Sequence, residues 1–187
     1  MAAPARVYSY DTHLVGVLIS GNVKPITEQE IRTSFVNCSK GEARRINLPR
    51  DLADQPWEHL DFLGWRDPGA ADRGYLVIGR HDGLVGLTLR AAPGSRRSLL
   101  RTSLCSFCVT SHSGSGVDLL SARKAGPAGR NGDTLGIYVC ADLACSLYVR
   151  GRKKNALAKR LEESLTLEEQ IARTLGNAHG FVDQILA

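Results

Sequence analysis

Two short stretches decide the fold: Cys105-Ser106-Phe107-Cys108 and Cys140-Ala141-Asp142-Leu143-Ala144-Cys145. The first is a C-x2-C knuckle, the second a C-x4-C pair, and 31 residues lie between Cys108 and Cys140. A C-x2-C turn lets two thiolates aim at one centre about 2.3 Å away, and a second pair completes a tetrahedron around zinc. Four thiolates leave no open position for water, so such a site is structural rather than catalytic. Ile137-Tyr138-Val139-Cys140 reads as a strand running into the second pair, and Asp142 is placed to cap a helix starting beside Cys145. Knuckle, hairpin and ligand-bearing helix are the parts of a treble clef. A redox C-x2-C would open a helix after a strand, a setting not readable here, and unlinked core thiols are the remaining reading. Cys38 stands apart and reads as a buried helical thiol. His112 is a substitute ligand on paper, but four cysteines fill the sphere, so it reads as a loop residue.

Working outward, Leu84-Val85-Gly86-Leu87-Thr88-Leu89-Arg90 and Tyr75-Leu76-Val77-Ile78 flank Arg80-His81-Asp82-Gly83, whose Asp-Gly pair is hairpin chemistry. A β-hairpin over 74–91 follows, ended by Pro93-Gly94-Ser95. Thr27-Glu28-Gln29-Glu30 is a capping box, and Ile31 with Phe35 continues it as a short helix over about 28–38. Residues 40–56 look irregular. Arg66-Asp67-Pro68-Gly69 reads as a turn. From Ala156 onward the pattern turns helical, with a second capping box at Thr166 to Glu169 and Gly176 as a helix stop. Residues 1–24 are a tail, or hold a short strand at Leu14 to Ile19.

The chain has 187 residues, enough for a real core in one domain or two small subdomains. At 43% hydrophobic and 23% charged it falls outside disordered and fibrous classes. Its longest strongly apolar run, Leu14 to Ile19, is far short of the roughly 20 residues a spanning helix needs. Arg6 is the only early cation, and Tyr8, Ser9, Asp11 and His13 interrupt any leader core, so a cytoplasmic location is expected. The net charge is +5, unevenly placed. From Arg96 to Arg160 there are twelve Lys and Arg against Asp118, Asp133 and Asp142, a local +9. This is either a solvated basic face or a docking surface for an acidic partner. Gly114-Ser115-Gly116 lacks the Gly-Lys-Ser/Thr of a phosphate loop, and no paired carboxylates or triad stand out. No enzyme activity and no small-molecule substrate are therefore expected. Phe107 and Tyr138, beside candidate ligands, either fill a small core or anchor an interface.

The order of Asp61-Phe62-Leu63-Gly64-Trp65, the hairpin ending Val85-Gly86-Leu87-Thr88-Leu89-Arg90, Cys105-Ser106-Phe107-Cys108 and Gly136-Ile137-Tyr138-Val139-Cys140 resembles the C-terminal treble-clef region of FusB/FusC-type proteins. The resemblance covers about residues 45–150, and more loosely 25–187. Those proteins bind translation elongation factor G, promote its release from the ribosome and so counter fusidic acid, and they are not enzymes. The resemblance implies Cys105, Cys108, Cys140 and Cys145 as zinc ligands. It implies Phe107 and Tyr138 as partner contacts, with Arg123, Lys124 and Arg130 of the intervening loop as further ones. FusB-type proteins also carry a larger helical N-terminal part, whereas one short helix is readable here before residue 45.

The expected architecture is α+β: a small antiparallel sheet with a treble-clef zinc finger and flanking helices. Its expected divisions are 1–24, a helix and hairpin region over 25–95, and a zinc-finger region with C-terminal helices over 96–187. The expected function is non-enzymatic binding of elongation factor G with Zn2+ as cofactor. The alternative is a zinc-containing protein that binds RNA or the ribosome, for which a basic treble clef is also suited.

Overall fold

The computed structural model describes residues 24–91, 102–154 and 163–187, together with the backbone of 158–159. The expectations for residues 1–23, and for Pro93-Gly94-Ser95 as the hairpin's end, lie outside the described residues.

Helix α1 (Glu28–Ser34) starts on the expected capping box: Thr27 Oγ1 accepts from the Glu30 amide, and the Glu30 carboxylate accepts from the Thr27 amide. The chain leaves it at Phe35, short of residue 38, because Val36 N–H donates to Gly86 O at 3.0 Å and docks the segment onto the hairpin. A second helix, α2 (Lys40–Arg44), follows at once on its own capping box, Ser39 with Glu42. Residues 40–56 are thus only partly irregular, adding single 3-10 turns at Leu52–Asp54 and, just beyond, Trp57–His59.

The main sheet has five antiparallel strands: β1 (Leu63–Asp67), β2 (Ala70–Arg80), β3 (Gly83–Ala91), β6 (Val117–Arg123) and β7 (Thr134–Cys140), in the order β1-β2-β3-β6-β7. The expected hairpin is β2–β3, closed at Arg80 opposite Gly83. Gly83 has φ +129°, a region side chains rarely enter, which explains glycine after Asp82. The expected turn is present at Pro68 and Gly69, joining β1 to β2, while Arg66 and Asp67 belong to β1 and the register slips between them. β3 pairs with β6 through Arg90 opposite Ser121 and Ala91 opposite Leu120, so one sheet crosses from the 25–95 region into the 96–187 region.

Tyr75-Leu76-Val77-Ile78 are all buried, the mark of a strand covered on both faces. Leu76 and Ile78 point into a core with Phe62, Leu87, Leu120, Phe107 and Phe181. Tyr75 and Val77 point into a second core with Ile31, Trp57, Leu63 and Trp65. The N-terminal helices cover one face and the cysteine region the other.

A small second sheet, β4-β5-β8, contains β4 (Thr102–Leu104), β5 (Ser111–Ser113) and the Ala158–Lys159 backbone as β8. Ala158 and Lys159 are therefore extended, where the sequence pattern suggested helix. Short helices α3 (Gly126–Arg130) and α4 (Cys145–Val149) precede the long α5 (Leu167–Leu186). The Thr166–Glu169 capping box opens α5, but Gly176 does not close it. A Cβ at Gly176 or Gly180 would meet nothing, and the helix is held through Thr174, Ala178, Phe181, Val182 and Ile185 on its buried face. At its far end Ile185 O accepts from Ala125 N–H at 2.8 Å, tying α5 to the segment before α3.

Candidate metal centre and its surroundings

β4 and β5 form a hairpin around the first cysteine pair. Cys105 N–H donates to Thr110 O and Val109 N–H to Cys105 O, which folds Cys105 and Cys108 back toward each other. The fold requires φ 57° at Val109, an unusual value for a β-branched residue. Ser106 N–H donates to Tyr138 O at 2.7 Å, and Cys140 N–H donates to Cys105 Sγ at 3.4 Å, so the knuckle is laid along β7.

The second pair begins where β7 ends, at Cys140, and closes at the first residue of α4, Cys145. Between them Leu143 N–H donates to Cys140 O, and Leu143 also takes a positive φ, 59°. The turn rests on β1: a Cβ on Gly64 would lie 2.7 Å from both Leu143 Cβ and Leu143 O. Asp142 does not cap α4 directly, since Ala144 occupies the cap position. Instead Asp142 braces the turn, accepting from Ala144 N–H at 3.1 Å, Tyr148 O–H at 2.9 Å and Lys153 Nζ at 2.9 Å.

All four cysteines are buried, and their Sγ atoms lie within 4.8 Å of one another. Cys105 and Cys145 sulfurs are 3.6 Å apart, and Cys108 and Cys140 sulfurs 3.5 Å. A tetrahedron of 2.3 Å zinc–sulfur bonds has edges of about 3.8 Å, so the spacing fits. Charge points the same way. Hydrogen bonds from Cys105, Cys140 and Cys145 hold the Cys108 thiol below its ordinary range, whereas hydrogen bonds with Cys105 and Cys108 hold Cys140 and Cys145 above theirs. One thiolate is readily accommodated and four are not, unless a dication neutralises them. Cys38 lies outside the cluster, half-buried rather than buried, and burial with the Glu42 charge pushes its thiol up to about 11.

His112 is a correction to the sequence reading. It is a fully buried β5 residue, not a loop residue, and its Nε2 lies 3.4 Å from Cys140 Sγ. Its short polar surroundings, Ser111 and Ser113, gave no periodic signal of burial. Phe107 is a second correction: it is 1% exposed, packed edge-on between Phe62 and Phe181, and so is core rather than a surface contact. Its carbonyl accepts from Asn177 Nδ2, which anchors α5 to the knuckle.

The other expected contacts fall on the β6–β7 ribbon and its connection. Tyr138 is 38% exposed and pairs with Leu119. Arg123 lies four residues further along β6, on the same face as Leu119 and therefore as Tyr138. Lys124 follows β6, half-buried, and exposed Arg130 ends α3. The intervening "loop" is therefore a strand, a short helix and a turn.

The described residues contain no helix long and apolar enough to cross a membrane. No curated relative and no solved structure matches the chain. The family described as the FBP C-terminal treble-clef zinc-finger matches residues 30–185, which takes in the core around Phe107, all of the second core but Ile26, the whole five-stranded sheet and all four clustered cysteines. With that match and a buried four-thiol cluster of zinc dimensions, this chain is a zinc-binding member of the FBP C-terminal treble-clef zinc-finger family.

Proposed function

We propose that Cys105, Cys108, Cys140 and Cys145 hold one structural zinc ion, and that the β6–β7 ribbon pinned by it binds translation elongation factor G. The observation that carries this reading is the family match over 30–185 together with the clustered thiols. The FusB-type family acts by binding rather than by catalysis, and four thiolates close the metal to substrate. Tyr138 and Arg123 share the outward face of the ribbon, with Lys124 and Arg130 at its far end. A local net charge of +9 over 96–160 suits an acidic partner and would speed the encounter. A scaffold fixed by metal loses little freedom on binding, which favours affinity. Release of the factor from the ribosome, and with it protection against fusidic acid in the cytoplasm, completes the proposal.

Titration calorimetry of the zinc-loaded chain against purified elongation factor G tests it. A 1:1 complex at micromolar affinity or tighter is expected. Absence of heat at low and moderate salt would reject the partner. Tight, steeply salt-dependent binding to ribosomal RNA instead would favour the RNA reading.

A further inference from the structure

We propose that His112 is a positioning residue of the metal centre, donating a hydrogen bond from Nε2–H to the Cys140 sulfur and holding that thiolate on the metal. The proposal rests on the assignment of the four cysteines as ligands. It concerns a residue outside that set.

Among the described residues the ring's polar contacts are with the cysteine sulfurs: Cys140 at hydrogen-bond distance, and Cys108, whose thiol His112 also helps to hold down. His112 is fully buried, with Nε2 at 3.4 Å from Cys140 Sγ. Tyr148 packs edge-on against it, centroids 4.8 Å apart at 84°. Gly116 closes another side: a Cβ there would lie 2.5 Å from His112 Cβ and 3.0 Å from Nδ1. Nδ1 has no hydrogen-bond partner among the described residues. Tyr148 is itself fixed by its hydroxyl on Asp142, which lies between Cys140 and Cys145 in sequence. The ring is thus held in one orientation by Gly116 before β6 and by Tyr148 of α4, which Asp142 of the second cysteine turn fixes in place.

The direction of the hydrogen bond follows. A metal-bound thiolate has no proton to offer, so the contact is attractive only with a proton on Nε2. Placing the only ring proton on Nδ1 would bury an N–H with no acceptor and set two lone pairs against each other. Four thiolates around a divalent ion leave a buried charge of −2, which demands donors around the sulfurs. Cys140 N–H supplies one, to Cys105. His112 supplies a side-chain donor to Cys140, the sulfur at the end of the strand that carries Tyr138.

The test compares His112→Phe with His112→Gln in the full chain. Zinc affinity is measured by chelator competition, and thiolate-to-metal charge-transfer bands are recorded after cobalt loading. Phe keeps a ring and loses the donor, so about a 10–100-fold loss of affinity and a shifted band are expected. Gln keeps an N–H donor, so affinity within a few-fold of the unaltered chain and an unshifted band are expected. Unchanged affinity in His112→Phe, or equal losses in Phe and Gln, would overturn the proposal. Should His112→Phe not fold, the unaltered chain loaded with cadmium-113 decides: imidazole nitrogen NMR should show a protonated Nε2 coupled to the metal through the hydrogen bond. An unprotonated Nε2 would overturn the proposal while leaving the ligand set standing. Failure of the unaltered chain to take up metal would instead remove the ligand set, and this proposal with it.

Discussion

Arg150 grips Asp61 with both terminal nitrogens, at 2.6 and 2.8 Å, across 89 residues of chain. The Asp61 side chain is fully buried and Arg150 nearly so. Asp61 N–H also donates to Ser146 Oγ, so the lead into β1 is clamped to α4, the helix that begins at Cys145. Asp61→Ala would leave the guanidinium buried without its partner. A loss of about 3–5 kcal/mol is expected, because breaking one side of a buried pair costs more than the pair contributes. Urea unfolding of the zinc-loaded chain measures it, and a loss under about 1 kcal/mol would show that the clamp is dispensable.

Gly64 of β1 faces the turn that leads into α4. Gly64→Ala places a methyl 2.7 Å from the Leu143 backbone oxygen, in a turn already at positive φ. The turn must move, at about 1–3 kcal/mol as an overpacked contact. The displacement should reach Cys140 and Cys145, so weaker zinc retention is expected alongside a lower melting temperature. A stability loss with unchanged zinc affinity would mean that β1 yields instead of the turn.

Removing the metal should do more than either substitution. Structural zinc sites contribute about 10–16 kcal/mol of apparent binding energy in small fingers, and that energy is spent on folding. Cys105→Ser or Cys140→Ser should unfold residues from about 100 to 150, seen as lost hydrogen-exchange protection at β4, β5 and the Cys140 end of β7. The α1–α2 side, packed on its own core around Trp57 and Trp65, should keep more protection. Full metal content and protection in both variants would disprove the zinc argument.

Acid should weaken the opposite side of the sheet through Asp67. Burial pushes its carboxyl up, but donors from Asn47, Tyr75, Gly69 and Ala70 outweigh it and hold the group below its ordinary value. A depressed acid stabilises the fold above the unfolded-state value of about 3.9 and stops doing so as pH falls through the lower folded value. Stability of the unaltered chain should therefore drop below about pH 4, and Asp67→Asn should flatten that drop. Parallel curves of urea midpoint against pH for the two proteins would exclude Asp67 as a source.

Partner binding separates into encounter and grip. Reversing charge at Lys124 and Arg130 together should slow association with elongation factor G by about tenfold at low salt and weaken its salt dependence. Tyr138→Ala should act on dissociation, costing about 2 kcal/mol if the ring is an anchor. Stopped-flow rates distinguish the two, and unchanged rates in both variants would move the contact surface off this ribbon.

Much of the fold was legible because its signals are local. The Thr27 and Thr166 capping boxes each lie within four residues, the β2–β3 hairpin is bracketed by its own turn, and the cysteine pairs carry their spacing on the page. What escaped depends on distant neighbours. Ser39 to Glu42 is as good a capping box as the others, but the helix it opens has only five residues, one of them glycine, and residues 40–56 read as irregular. Gly176 read as a stop because nothing local says that the opposite face of α5 is buried. β6 was hidden in a glycine-rich span, since Val117–Arg123 becomes a strand only by pairing with β3 and β7. At the site, the four sulfurs were readable and their supports were not: His112, Asp61 and Gly64 matter through residues 28 to 89 positions away.

The bond between Ala125 and Ile185 has a mechanical consequence. The last turn of α5 is wired to the segment that presents Lys124 and Arg130, and Asp183 in the same turn holds Arg80 at the hairpin tip. A load applied through Ala187 would reach these cations before it reached the metal. Surface-immobilised binding measurements should therefore avoid attachment at the end of α5, where a stiff tether should alter the attack angle of the basic ribbon even though it touches neither zinc ligand nor sheet.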